Sequence, residues 1–169
     1  MKKVRKNVFE TNSSSTHALS ITNGKQDDYL SPSKTLVIDF IDTDDCGTLC
    51  TLKEKVSYLV SQIVNRYKWD VYDYEDLKEQ VEDSWDFKHI ANYVKEKYGK
   101  DVMMPKNYKV NRYVDEEGEE HNDIEGIVNI NHQIQYSDLD SLLESLVDHD
   151  RDLLDEVLRK DTIIEFGRD

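Results

Sequence analysis

Three stretches in the middle of the chain carry apolar residues at every third or fourth position, the spacing of one buried helix face. The first begins at Thr51-Leu-Lys-Glu54, which fits a Thr-x-x-Glu capping box, and continues to about Tyr67. The second covers residues 74–85, and the third ends before Gly99, where a helix-terminating glycine is expected. Two more helical patterns, over residues 137–147 and 153–158, bring the predicted number of helices to about five.

Shorter apolar runs bounded by turn formers predict strands. The strongest covers residues 35–41, where three consecutive apolar residues indicate a central strand that is buried on both faces. Residues 4–9 and 17–22 flank a polar run and predict an N-terminal hairpin. Residues 108–114 and 124–130 flank an acidic turn and predict a central hairpin, and a short last strand is expected over residues 162–166.

Strands and helices that come in separate runs favour an α+β fold over a doubly wound parallel sheet. We expect a single domain over residues 1–169, with a mostly antiparallel mixed sheet packed by the helices. Within it, residues 1–26 would form a basic N-terminal hairpin and residues 27–169 an acidic α+β body. A chain of this length buries enough apolar surface to fold without a disulfide or a metal.

Charge divides the chain into two parts. The formal net charge is −14, with 36 acidic against 22 basic residues. Residues 1–26 depart from this balance, because they hold five basic residues and a single glutamate. Phosphate backbones repel an acidic protein, so a generic nucleic-acid-binding protein is not expected. The asymmetry indicates two surfaces with different partners or, alternatively, a basic edge strand that faces solvent.

The cellular location is inferred from the cysteines and the apolar runs. Cys46 and Cys50 form neither a disulfide framework nor a Cys-x-x-Cys redox pair. The basic N-terminus precedes no apolar stretch of the signal-peptide type, and no apolar run approaches the ~18 residues of a membrane span. We therefore expect a cytoplasmic protein without a membrane partner.

The chemically richest segment is Asn12-Ser-Ser-Ser-Thr-His17. Hydroxyls and the backbone N–H groups of a tight turn bind phosphate, and a histidine beside them serves as general acid or base. The candidate catalytic residues are the imidazole and the serine hydroxyls: His17, Ser13, Ser14 and Ser15. The candidate binding residues are the polar and basic side chains around them: Asn12, Thr16, Lys3 and Arg5.

A structural interpretation of the same segment stays open. Asn and Ser form hairpin turns through local hydrogen bonds to their own backbone. His17 would then be an ordinary, half-buried strand residue.

The longer stretch Asn7-Val-Phe-Glu-Thr-Asn-Ser-Ser-Ser-Thr-His17 resembles the N-terminal signature of small proteins encoded by bacteriophages and related mobile elements. The resemblance covers about the first 22 residues, and Ile164-Glu-Phe-Gly167 is similar to such proteins as well. Elements of this kind carry anti-CRISPR proteins, and a small acidic protein with a distinctive hairpin is similar in outline to type II anti-CRISPR inhibitors. The resemblance implies a protein of the bacterial host cytoplasm whose partner is a host protein, with a Cas9-type nuclease and its guide RNA as the named expectation.

Carboxylates crowd the predicted central hairpin. Carboxylates spaced along a folded surface imitate nucleic-acid phosphates and fit the basic groove of a nucleic-acid enzyme. The candidate binding residues are the glutamates of the turn: Glu116, Glu117, Glu119 and Glu120. Residues 70–86 and 138–156 hold further acidic clusters. Alternatively, these charges only keep the surface solvated.

Four aspartates stand near the end of the strongest predicted strand: Asp39, Asp42, Asp44 and Asp45. Clustered carboxylates suit Mg²⁺ or Ca²⁺, but the spacing does not match a calcium-binding loop, and a polar turn that caps the next helix explains the residues as well. The sequence has no Gly-rich phosphate loop and no zinc-binding pattern. We predict no metal and no cofactor.

Three functional hypotheses follow. The first is an inhibitor, encoded by a phage or mobile element, that binds a host nucleic-acid enzyme. The alternative is a phosphate-directed enzyme that acts on RNA or a nucleotide through the Ser/His segment. The third is a virion or scaffold component, which no heptad or repeat in the sequence supports.

Overall fold

The protein's structure, a computed structural model, describes residues 17–24, 29–41, 47–67, 71, 73–106, 110–114, 118–124 and 151–168. These ranges contain the helices α1 (Leu52–Tyr67), α2 (Tyr74–Asp83), α3 (Trp85–Tyr98) and α4 (Arg151–Val157). They also contain the strands β1 (His17–Asn23), β2 (Thr35–Val37), β3 (Gly47–Leu49), β4 (Asp101–Met103), β5 (Val110–Val114), β6 (Glu120–Ile124) and β7 (Thr162–Arg168). The α+β class is confirmed.

Local side-chain chemistry sets the helix ends. The predicted capping box is present: the Glu54 carboxylate accepts from the Cys50 and Thr51 N–H groups at 2.8 Å, and the Thr51 hydroxyl oxygen accepts from Glu54 N–H at 3.2 Å. Ser84 separates α2 from α3, because it ends the former and caps the latter. Gly99 ends α3 in the left-handed conformation at φ 67°, as predicted.

The described strands form three small sheets instead of the one mixed sheet that was predicted. In the first, β7 lies between β1 and β3, and both pairings are antiparallel. The second pairs β2 with β4 in parallel, and the third pairs β5 with β6 antiparallel. The prediction was wrong because strand partners are chosen by tertiary packing over long sequence separations, which the local pattern does not encode.

The predicted hairpins also differ from the structure. The described partner of β1 is β7, at the other end of the chain, and the first strand of the predicted N-terminal hairpin, residues 4–9, lies outside the described residues. In the central hairpin the returning strand is Glu120–Ile124, earlier than the predicted 124–130, so the turn is shorter than expected. Of the five predicted helices, the one over residues 137–147 also lies outside the described ranges.

The predicted central strand is shorter than its apolar run. The strand covers only Thr35–Val37, and Val37 is exposed; one further bond to β4 runs from Ile38 N–H to Met103 O at 3.1 Å. Beyond it the backbone runs along α1, where Asp39 N–H donates to the Ser57 hydroxyl at 3.0 Å and Ile41 N–H donates to the Ser61 hydroxyl at 2.9 Å. Two serines one helical turn apart thus take over the role of a neighbouring strand.

One hydrophobic cluster joins the elements, with α1 at its centre. Helix α1 is buried over most of its circumference, since eleven of the thirteen residues from Leu52 to Val64 are buried and only Lys53 and Glu54 are not. Side chains from β2, α2, α3, α4 and β7 pack in the same cluster. Within the described ranges, no helix combines the length and apolar character needed to cross a membrane.

Candidate interface at the acidic hairpin

The hairpin of β5 and β6 positions the predicted acidic residues. Its register pairs Val110 with Ile124 and Val114 with Glu120, so the turn lies between residues 114 and 120. Gly118 has φ 88° in this turn, a conformation that disfavours residues with a Cβ atom. Glu119 and Glu120, which follow it, are both exposed.

The end of this hairpin nearest the turn is open to solvent on both faces. Tyr113 and Val114 are consecutive strand residues, whose side chains point to opposite faces, and they are 40% and 61% exposed. Neither side chain belongs to the hydrophobic cluster of the described residues. An aromatic and an aliphatic side chain are therefore presented next to the acidic turn.

This combination suits recognition of a basic protein surface. Carboxylates at a turn approach Lys and Arg side chains of a partner closely, and complementary charge speeds the encounter. Tyrosine is enriched among the residues that contribute most to binding energy. The hairpin end offers both kinds of contact within a few residues.

Carboxylates in the second acidic cluster, around α2, have roles inside the fold. Asp73 accepts from Asp76 N–H at 3.0 Å and caps α2. Asp83 pairs with Lys88 at 2.9 Å, and Asp86 pairs with Arg66 at 2.8 Å. These groups stabilise helix ends and contacts, which weakens the case for α2 as the main recognition surface.

The structure describes only part of the predicted Ser/His site. His17 is the first residue of β1, and the register places it opposite Arg168 of β7. The other candidates of this site fall outside the described residues: Lys3, Arg5, Asn12, Ser13, Ser14, Ser15 and Thr16. The same holds for Glu116 and Glu117 of the acidic turn.

The aspartates considered for a metal do not form a described site. The Asp39 carboxylate pairs with the Lys53 ammonium at 2.6 Å, and Asp42, Asp44 and Asp45 lie outside the described residues. In the part of the chain that the structure describes, no group of three or more His, Cys, Asp or Glu residues could hold a metal ion.

Sequence reasoning missed a buried lysine. Lys55 is fully buried, and its ammonium donates to Arg159 O at 2.8 Å, to Thr162 O at 2.7 Å and to the Thr162 hydroxyl at 2.8 Å. It also lies 5.0 Å from the centre of the Tyr29 ring. Burial lowers the pKa of Lys55 to about 8. A signal was present, since Lys55 falls on the apolar stripe of α1 between Leu52 and Leu59.

The chain matches no protein-family model, and no curated protein or solved structure is significantly similar to it. Its function is therefore inferred from its own residues.

Proposed function

We propose that the chain is an inhibitor, encoded by a phage or mobile element, that binds the nucleic-acid-binding surface of a host enzyme. The observation that carries this proposal is the hairpin end, where exposed glutamates and exposed Tyr113 and Val114 occur together. The net charge of −14 supports it, because it favours a basic partner and opposes direct binding to nucleic acid.

The physical basis is competition for basic side chains. Enzymes that hold nucleic acid present Lys and Arg along a groove, and the groove concentrates positive potential. A hairpin that carries carboxylates at its turn reaches into such a groove, and the exposed Tyr113 ring supplies apolar contact area. The charges raise the association rate and orient the two proteins, while the apolar contacts slow dissociation of the complex.

A Cas9-type effector is the first partner to test. Such effectors hold the guide–target duplex in a positively charged channel that recognises backbone geometry rather than sequence. The N-terminal resemblance to proteins of phages and mobile elements supports this choice among basic enzymes.

The test measures affinity of the purified chain for a Cas9-type nuclease loaded with guide RNA, at about 50 and 200 mM salt. The hairpin variant carries four alanines, at Glu116, Glu117, Glu119 and Glu120. We expect weaker binding and a flatter salt dependence for this variant, since fewer charges are neutralised in the complex.

A matched control separates location from net charge. It removes four exposed carboxylates elsewhere, at Glu75, Glu79, Glu96 and Glu165. We expect this control to bind nearly as tightly as the wild type. An equal loss of affinity in both variants would mean that only the overall charge matters. Wild-type affinity in a hairpin variant that is folded would exclude the hairpin as the interface.

One observation keeps the enzyme hypothesis as a second candidate. The register of β1 and β7 places a basic residue, Arg168, opposite His17, as a phosphate-directed site would require. An RNA-integrity assay separates the enzyme hypothesis from the inhibitor hypothesis. The effector is incubated with the wild-type chain or with His17→Ala, and the guide RNA is then examined. Shortened or modified RNA with the wild type alone would favour catalysis, whereas intact RNA and equal binding favour docking.

A further inference from the structure

A small pocket lies beside the β2–β4 pair, where the first turn of α1 meets the loop before β2. Its volume is about 200 Å³. Two lysines and three hydroxyl-bearing residues share the lining with three aliphatic ones: Lys53, Lys100, Ser31, Ser33, Thr35, Leu36, Val37 and Leu52. In a chain with net charge −14, it is unexpected that the charged residues in the described part of this lining are both cationic.

Lys100 is the most unusual of these residues. It is 7% exposed, and its ammonium donates to the backbone carbonyls of Ser31 and Ser33, both at 2.5 Å. The ion pairs found among the described residues do not include Lys100. Among the described residues the partners of the Lys100 ammonium are neutral oxygens, and a bound anion would add the favourable charge interaction that these oxygens lack.

Further donors surround the same space. The Ser31 hydroxyl oxygen accepts from Ser33 N–H at 3.3 Å, which leaves its own proton to donate. The Ser33 hydroxyl is committed, because it donates to Thr35 O at 2.8 Å. Lys53 is 43% exposed and pairs with Asp39, so its ammonium reorients at little cost.

Helix α1 adds to the positive potential at this place. Leu52 and Lys53, its first two residues, line the pocket, and the N-terminal end of a helix carries a partial positive charge. This contribution is secondary to the two ammonium groups, because the Glu54 carboxylate already accepts hydrogen bonds from the Cys50 and Thr51 N–H groups at this end. It acts in the same direction, because the pocket lies at the positive end of a helix of 16 residues.

We infer that this pocket binds the phosphate group of a small molecule. The lining combines hydroxyl-bearing residues of the pre-β2 loop and β2 with two lysines, and charge-assisted hydrogen bonds from lysine to phosphate are among the stronger ones. A volume of about 200 Å³ is below the range of sites for drug-sized ligands, so the ligand is small. Leu36, Val37 and Leu52 form an apolar wall for the rest of that molecule.

This inference is independent of the proposed function. The lining residues that the structure describes include none of the acidic hairpin and none of the Ser/His segment. An inhibitor that docks through its hairpin can bind a phosphorylated metabolite here, and the failure of either proposal leaves the other unaffected.

The test is an NMR titration of the full chain with inorganic phosphate, at constant ionic strength, with acetate as the comparison anion. We expect saturable shifts of the amides around Ser31, Thr35 and Lys53, and much weaker effects of acetate. Lys100→Met should weaken phosphate binding about 10-fold or more, as expected for the loss of a charge-assisted hydrogen bond.

Two further variants keep the test decisive. Thr35→Val removes one hydroxyl and keeps the β-branched shape, and we expect several-fold weaker binding even if Lys100→Met fails to fold. Lys88→Met is the control, because it removes an exposed lysine that pairs with Asp83 outside the pocket. The inference is overturned if phosphate causes no saturable shifts, if acetate binds as well, or if Thr35→Val binds like the wild type.

Discussion

Lys55 connects distant parts of the chain from inside the protein. Its ammonium, on α1, satisfies carbonyls just after α4 and at the start of β7, more than 100 residues away in sequence. The hydroxyls of Tyr29 and Tyr98 both donate to the neighbouring Leu158 carbonyl. Side chains thus supply hydrogen-bond donors to the carbonyls at the C-terminal end of α4.

The buried lysine predicts a pH dependence of stability. The pKa of Lys55 is about 8 in the folded protein, below the ordinary value of 10.5, and burial is the main cause. Below pH 8 the folded and unfolded chains both carry the proton, so the burial cost is fully present. Between about pH 8 and 10.5 only the unfolded chain keeps it, and the free energy of unfolding rises with pH by about 1 kcal/mol or more per pH unit.

Chemical denaturation of wild type and Lys55→Met between about pH 7 and 9.5 measures this effect. We expect the wild type to exceed Lys55→Met in free energy of unfolding by an amount that grows with pH. A further loss in the variant, from the carbonyls that Lys55 no longer pairs, should not change with pH. Lys53→Met, on the exposed side of the same helix, should follow the wild-type slope. Parallel curves for wild type and Lys55→Met would show that Lys55 keeps an ordinary pKa.

The range stops near pH 9.5 because burial also raises the pKa values of Tyr29 and Tyr98. When the tyrosines of the unfolded chain ionise at higher pH, the free energy of unfolding falls with pH instead of rising.

At the scale of elements, α1 organises its surroundings through polar as well as apolar side chains. Ser57 and Ser61 are nearly or fully buried, and each accepts a backbone N–H from the segment after β2. Without these hydroxyls the two N–H groups would lose their partners beside the core, because the segment has left the ladder with β4. The serines therefore specify where this segment lies.

Replacing these serines tests that role. Ser57→Ala and Ser61→Ala should each lower the free energy of unfolding by about 1–2 kcal/mol, since each leaves a half-buried donor unsatisfied. Thermal unfolding of the single variants and of the double variant measures the loss. Ser31→Ala, in an exposed loop, is the control and should change stability by less than about 0.5 kcal/mol. A loss no larger than the control's would mean that water replaces the serines.

The positions of helices and strands along the chain were predicted better than which strands pair with each other. The Thr51–Glu54 box and Gly99 located helix ends because capping depends on neighbouring residues. Three consecutive apolar residues at 36–38 were interpreted as a strand buried on both faces, yet only Leu36 and Ile38 belong to the hydrophobic cluster and Val37 is exposed. The pairing of β1 with β7 and the pocket at Lys53 and Lys100 both bring together residues that are far apart in the chain, and a single sequence carries no signal for such contacts.

Only part of the candidate interface was identified from the sequence. The glutamates of the central turn were identified from their clustering in the sequence, and their role in binding stays a prediction; Glu119 and Glu120 are exposed. The exposed pair Tyr113 and Val114 was not singled out, because alternation predicts that one of two consecutive strand residues is buried. Only the three-dimensional structure shows that both faces are open at this end.

At the scale of the whole molecule, charge and exposure are distributed unevenly. Around α2, aspartates cap a helix and pair with Lys88 and Arg66, while the hairpin presents glutamates beside exposed apolar side chains. The two ends of the described chain meet in the β1–β7 pairing, on a different element from the hairpin. The molecule thus has a buried framework around α1, and the proposed recognition surface lies on a hairpin whose exposed Tyr113 and Val114 are outside that framework.

The most direct test of the central claim is a competition measurement. A labelled DNA duplex with a matching target is bound to a Cas9-type nuclease and its guide, and the displaced fraction is measured as the chain is added. We predict displacement by the wild type that weakens as salt rises, and clearly less displacement by the variant with alanine at Glu116, Glu117, Glu119 and Glu120. If DNA stays bound at saturating chain, or if the hairpin variant displaces it equally well, the hairpin does not occupy a nucleic-acid-binding surface of this enzyme.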